Sequence, residues 1–362
     1  MFQERIYNFS AGPSMLPQSV LEKAASELLN YGGTGTSVME MSHRSKAFLA
    51  IFEETKARLK QTLNVPDTHE ILFLQGGATL QFSMVPMNLI SKTGKADYAI
   101  TGNFSKLAAK EAKRYGEIHI AADTHDQNNT YIPRQGDLSL SKDASYFHYC
   151  DNNTIYGTEW DYIPETGTVP LVCDMSSNIL SKPMDVSKFG LIYAGAQKNM
   201  APAGLTVVVM DKSLAGFEME CTPVMLNYKT MIEKDSMHNT PSTYNIYILG
   251  LVLKWIEAQG GLAGMAKYNE EKAKILYDYI DESKLFKGCA KPEARSLMNV
   301  TFVTGDTDLD AAFAKEAEAK GLSNLKGHRN VGGMRASIYN AMPMEGLKAL
   351  VAFMKEFETK NR

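Results

Sequence analysis

The chain has 362 residues, 44% of them apolar and 22% charged, with a formal net charge of −3. That is an ordinary globular composition with room for a large domain and a smaller one. The slight acidity argues against the basic face of a nucleic-acid binder, and no stretch reaches the length of a membrane-spanning helix. Four scattered cysteines (Cys150, Cys173, Cys221, Cys289) form no C-x-x-C pair, so core thiols in a reducing compartment are expected. The start MFQERIYNFSAGP lacks a signal-peptide apolar core, which predicts a cytoplasmic protein.

In chain order, NFSAGPSMLP is too rich in Gly, Pro and Ser for regular structure and reads as an arm, ordered or mobile. From Pro17, PQSVLEKAASELLNYGG places Leu21, Ala24, Ala25 and Leu28 on one helical face, between a Pro start and a Gly-Gly stop. SKAFLAIFEETKARLKQTLNVP predicts a second helix with Phe48, Ile51, Phe52, Leu59 and Leu63 as its apolar positions. An alternation follows. EILFLQGGA reads as a strand and Gly turn, TLQFSMVPMNLI as a helix, ADYAITG as a strand, SKLAAKEAKRYG as a helix and EIHIAA as a strand. SYFHYC, VPLVCD, LIYAGA and LTVVVM are further strands. Apolar strands interleaved with helices predict an α/β fold with a mostly parallel sheet covered on both faces. After residue 260 the pattern changes to helix AKYNEEKAKILYDYI, strand RSLMNVTFVTG, helix DTDLDAAFAKEAEAKG, strand MRASIYN and helix EGLKALVAFMKEFETK, an α+β cap.

The G-x-G-x-x-G, Walker A, H-E-x-x-H and G-x-S-x-G signatures are all absent, and no metal site is expected. What remains is polar residues at strand ends, where open α/β sheets bind ligands. QGGAT follows the first strand and leads into a helix, so Gly77, Ala78 and Thr79 could present backbone N–H groups to a phosphate. A plain Gly-Gly turn explains the same residues. VPLVCD ends in Asp174, and LIYAGAQ runs into Lys198. A carboxylate and an amine so placed suit pyridoxal phosphate, which needs a lysine for its Schiff base and an acid for its pyridine nitrogen. Apolar walls would lower the lysine pKa. An ordinary Asp174–Lys198 ion pair, or a lysine snorkelling outward, fits that spacing too. MSHRS holds His43 and Arg44, and KGHRNVGGMRAS holds His328, Arg329 and Arg335. Guanidinium groups in Gly-rich surroundings can close on carboxylates or phosphates, although a surface role is open for each.

Taken together, NFSAGPSMLP, GTSVMEMSHRS, YAGAQKN, APAGLT, HNTPSTYNIY and GHRNVGGMRASIYNAMP resemble the phosphoserine aminotransferase family, pyridoxal-phosphate enzymes of aminotransferase fold type I. The resemblance runs from about residue 7 to the last helix. It implies a large cofactor domain, 17–260, with a mostly parallel seven-stranded type of sheet, and a small α+β domain, 261–362, joined by the arm 1–16. Lys198 would carry the cofactor and shuttle the proton, and Asp174 would pair with the ring nitrogen. Ala78, Thr79 and Gln197 would hold the phosphate, Thr154 the phenolic oxygen, and Phe104, where relatives often have Trp, would stack on the ring. Asn239 and Thr240 would reach the phosphate from the other subunit of a homodimer with shared sites. Arg335 would take the substrate α-carboxylate, and His43, Arg44, His328 and Arg329 the distal anion, some of them across the interface.

The implied reaction is ping-pong transfer between L-glutamate and 3-phosphohydroxypyruvate, giving 2-oxoglutarate and O-phospho-L-serine for serine biosynthesis. A second activity on 4-phosphooxy-threonine, in pyridoxine synthesis, is suggested as well. Thr79 stands where some relatives have Arg, and Ala78 and Leu80 where Gly is frequent, which leaves the shape of that loop open. Among rivals, a cysteine desulfurase would need a mobile nucleophile, for which only Cys289 has a loop-like context. A non-enzymatic scaffold would have been expected to lose Lys198 or Asp174.

Overall fold

Seven strands build the central sheet of the computed structural model, which describes residues 5–361: β1 (His69–Leu74), β2 (Lys95–Ile100), β3 (Glu117–Asp123), β4 (Phe147–Cys150), β5 (Leu171–Asp174), β6 (Leu191–Gly195) and β7 (Thr206–Asp211). Their order is β1-β7-β6-β5-β4-β2-β3. All neighbours are parallel except β7, which runs antiparallel to both β1 and β6. The reason is local: the segment between Gly195 and Thr206 contains no helix, and a parallel return needs a longer crossover. Strands β4, β5 and β6 are buried along their whole length, as near-continuous apolar runs require.

Helices α1 (Gln18–Ser26), α2 (Lys46–Thr62), α3 (Gly77–Leu89), α4 (Asn103–Ala112), α5 (Tyr228–Glu233) and α6 (Thr243–Ala258) belong to the sequence up to residue 260. Helix α2 buries Phe48, Ile51, Phe52 and Leu59 as its periodicity predicts, and Leu63 is buried just past its end. In α1 only Ala24 of the predicted face is buried. Val20 and Ala24 go inward, Leu21, Ala25 and Leu28 stay exposed, and the helix stops at Ser26, before the Gly pair. Helix α6 has no sequence-level counterpart. It is apolar nearly all round because it is enclosed, so no amphipathic period marks it. It lies close on α2: a Cβ at Gly250 would fall 2.6 Å from Thr55 Oγ1.

A second core gathers around α7 (Gly261–Glu282), α8 (Thr307–Ala319), α9 (Met344–Lys360) and an antiparallel sheet of β8 (Lys287–Gly288), β9 (Asn299–Val303) and β10 (Met334–Ser337). Phe286, Phe302, Phe313, Phe353 and Phe357 form its aromatic centre. Phe9 and Met15 of the N-terminal segment are buried in this core, and Tyr7–Asn8 pairs in parallel with Leu322–Ser323. The described part of the arm, residues 5–16, is therefore ordered. Helix α7 starts in the first core with Leu262 and Met265 and ends in the second with Leu276 and Ile280. No single helix among the described residues is long and apolar enough to cross a membrane.

Candidate active site

Asp174 is the last residue of β5, and Lys198 lies in the turn after β6, so adjacent parallel strands deliver both from their carboxyl ends into one pocket. Asp174 is 4% exposed. Its Oδ1 accepts from the Ser176 N–H (2.9 Å) and hydroxyl (2.6 Å), and the same hydroxyl accepts from Gly195 N–H (3.1 Å). Burial raises its pKa, with the Ser176 bonds and the Lys198 charge opposing. Lys198 keeps some exposure to the cleft, yet desolvation draws its amine down to about 8 against the pull of Asp174. Its Nζ donates to Thr154 Oγ1 (2.6 Å) and lies 5.6 Å from the Phe104 ring centre. No ion pair joins Asp174 and Lys198, and the lysine does not snorkel out. A buried carboxylate without a cation on it is an incomplete arrangement. A ligand with a cationic ring nitrogen would complete it.

The opposite wall is the start of α3. Gly76 caps that helix without a side-chain hydrogen bond, and a Cβ at Gly77 would meet nothing within 4 Å. No side chain caps the first N–H groups of the helix, which leaves them for an anion. At Gly195 a Cβ would lie 3.3 Å from Gln197 Oε1 and 3.6 Å from Ala78 Cβ, so the strand end brings Gln197 beside the Ala78 turn. These residues fit pyridoxal phosphate at both ends, the phosphate at α3 and the ring nitrogen at Asp174.

Ala78, Thr79, Phe104, Thr154, Asp174, Gln197 and Lys198 line a single pocket. Arg335, on β10, sits at its edge, with Nη1 3.4 Å from Thr154 O and a buried Nε that has no hydrogen-bond partner. Burial lowers the pKa of His328, and the charges of Arg335 and Arg329 push it the same way. Asn239 and Thr240 contact Gln75 of the turn before α3 but do not line the pocket of their own chain. His43 and Arg44 stand on the loop before α2 and do not line it. Sequence reasoning missed Ser176. The D-x-S spacing, an acceptor two residues before a backbone donor, was its available signal. It also missed Asn152, Ser177 and Cys150 of the lining.

The arm was missed as part of the site. Ser14 N–H donates to Gln197 O (2.9 Å), and the Ser14 hydroxyl donates to Lys198 O. Gly12, at φ +141°, lies so close that a Cβ would be 3.3 Å from Gln197 Cγ and 3.4 Å from Lys198 Cγ. Gly12→Ala is therefore expected to weaken arm docking by about 1–3 kcal/mol. Limited proteolysis under native conditions checks this. Cleavage within residues 9–16 no faster than in the parent would contradict it.

The sequence profile of class-V aminotransferases matches residues 6–350. The chain belongs to the class-V aminotransferase family, whose members depend on pyridoxal phosphate. Its similarity narrows further, to the phosphoserine aminotransferases. That of Bacillus cereus is 52% identical over 359 residues, covering 99% of this chain and 100% of the relative. The solved phosphoserine aminotransferase of Bacillus circulans subsp. alkalophilus superposes with a TM-score of 0.97 at 45% identity, covering 99% of this chain and 100% of that one. A pyridoxal-phosphate-bound phosphoserine aminotransferase from Trichomonas vaginalis gives a TM-score of 0.92 at 42% identity, covering 97% and 100%.

Proposed function

We propose that the chain works as a phosphoserine aminotransferase, exchanging an amino group between L-glutamate and 3-phosphohydroxypyruvate, and that the residues lining its pocket carry the reaction. The carrying observation is the delivery of Asp174 and Lys198 from adjacent strand ends opposite the uncapped start of α3. When bound, pyridoxal phosphate supplies the electron sink that lets the Cα–H bond of an amino acid break. Lys198 would hold the cofactor through Nζ, and as a free amine it would accept and return the proton of the substrate carbon. Its low pKa makes the neutral, proton-accepting amine available. Asp174 keeps the ring nitrogen protonated, and Ser176 fixes the carboxylate. Thr154 orients Nζ, Phe104 would cover the ring, and the N–H groups of Ala78 and Thr79 would hold the phosphate with Gln197.

Arg335 receives the α-carboxylate common to all substrates, and its unpartnered Nε is the donor so far unused. His328 and Arg329 stand beside it for the distal anion. His43, Arg44, Asn239 and Thr240 lie outside the chain's own pocket, so we assign them to the partner's site in a homodimer. The exposed apolar Leu21, Leu28, Leu29 and Met39 give such an interface material. Four free cysteines suit a reducing, cytoplasmic setting. The arm, with 261–362, forms the small domain in this reading, and 17–260 the large one.

Adding O-phospho-L-serine alone to the purified, cofactor-loaded protein tests the reading. The visible cofactor band is expected to vanish as the pyridoxamine form appears. A band left untouched by phosphoserine would overturn the substrate assignment. Arg335→Ala is expected to lower kcat/KM about tenfold to a hundredfold with every substrate, as loss of a charged hydrogen-bond donor does. Loss confined to the phosphorylated substrates would show that the two anion sites are exchanged.

A further inference from the structure

Lys272, in the middle of α7, is wholly buried at 0% exposure, and no ion pair among the described residues reaches it. Its amine lies over the Tyr268 ring, 4.8 Å from the centre, and donates to the carbonyl oxygens of Ile338 (2.9 Å) and Tyr339 (2.6 Å), with Asn340 O at 3.5 Å. Burying so long a cationic side chain is costly, and a leucine would fill an ordinary core position more cheaply. The three carbonyls directly follow β10, which carries Arg335. They belong to a segment with two further ties to the site. The Tyr339 hydroxyl donates to Ala11 O (2.7 Å), next to Gly12, which packs on Lys198. The Asn340 N–H donates to Asn199 Oδ1 (3.0 Å), and Asn199 follows Lys198 in the chain. Asn340 also donates to Leu180 O (2.8 Å) and accepts from Asn269 Nδ2 (2.9 Å), one turn before Lys272 on α7.

We propose that Lys272 is a positioning residue: its amine clamps the backbone of residues 338–340, and that segment holds the arm, the Lys198 turn and the Arg335 strand in one register. Helix α7 reaches from the first core into the second, so the clamp ties both to the catalytic turn. The catalytic part of this proposal rests on the aminotransferase reading above, whereas the clamp itself is read out by amide exchange.

The test uses Lys272→Met in the holoenzyme, which keeps the length and apolar stem and removes the donors. Hydrogen exchange at the Ser14 and Asn340 amides should quicken about tenfold or more, as for loss of a buried hydrogen-bond partner. Exchange in β4 and β5 should stay unchanged, and KM for glutamate and for 3-phosphohydroxypyruvate should rise together. Unchanged exchange at Ser14 and Asn340, or an equal rise throughout the sheet, would overturn the clamp. If the methionine variant fails to fold, Tyr339→Phe decides, since it spares the carbonyls and cuts the hydroxyl's ties to Ala11, Asn299, Ser337 and Thr154. Faster exchange at Ser14 with residues 338–340 still protected supports the proposal, and an arm as protected as the parent's overturns it.

Discussion

Lys198→Ala is expected to leave a folded protein that no longer turns over. Removal of the proton shuttle alone should cost on the order of 10²–10⁴-fold in rate, and loss of the covalent anchor adds to it. The residue lines a pocket open to the cleft, so its truncation empties no core. Activity near the parent level would remove Lys198 from the mechanism. Its chemistry also has a pH signature. An amine titrating at about 8 is neutral in roughly one molecule in ten at pH 7, while an ordinary lysine is neutral in fewer than about one in a thousand. The rate at which cofactor-stripped protein captures pyridoxal phosphate should therefore climb with pH and level off above about 8. A rate that keeps climbing to about pH 10, the ordinary lysine range, would show that burial has not lowered this amine.

Asp174→Asn should separate catalysis from stability. The amide keeps an oxygen to accept from Ser176, so the local geometry survives. It removes a buried anion that has no cation until a ligand arrives. Breaking a charge pair of this kind costs about 3–5 kcal/mol, or roughly 10²–10⁴-fold in kcat/KM if the ring nitrogen is the partner. Without cofactor the balance reverses. The variant is expected to be no less stable than the parent in urea, because an unpaired buried charge has been removed. A variant that loses activity and apo stability together would mark Asp174 as a structural residue.

Much of this could be read from the chain. The seven strands of the central sheet carry their own signal, since buried parallel strands are short apolar runs bounded by turns. Their carboxyl ends then single out Asp174 and Lys198. Burial that cancels a period hides the rest. Helix α6 is apolar on nearly every side and reads as no particular element, and α1 carries an apolar stripe that one chain leaves in solvent. The arm is invisible for a different reason. Its order comes from Phe9 in a distant core and from backbone bonds to residues 197, 321 and 323, and neither leaves a local pattern. The family resemblance supplied Asn239 and Thr240, and it gave a role to His43 and Arg44, which MSHRS had offered only as candidate anion binders.

The arm's docking also bears on when the enzyme becomes one. Tyr7 pairs with Leu322, and Ser337 N–H donates to Phe9 O, so the strip of chain that backs Lys198 lacks much of its seat until residues 321–339 exist. During synthesis the ribosome releases the arm before the sheet and its seat after it. The sheet from β1 to β7 has long emerged by then and can bury its core, since domains fold as they appear. Full docking of the arm thus waits for the residues that follow the sheet. A nascent chain stalled short of β10 would hold both Asp174 and Lys198 and still lack the scaffold that sets them to work.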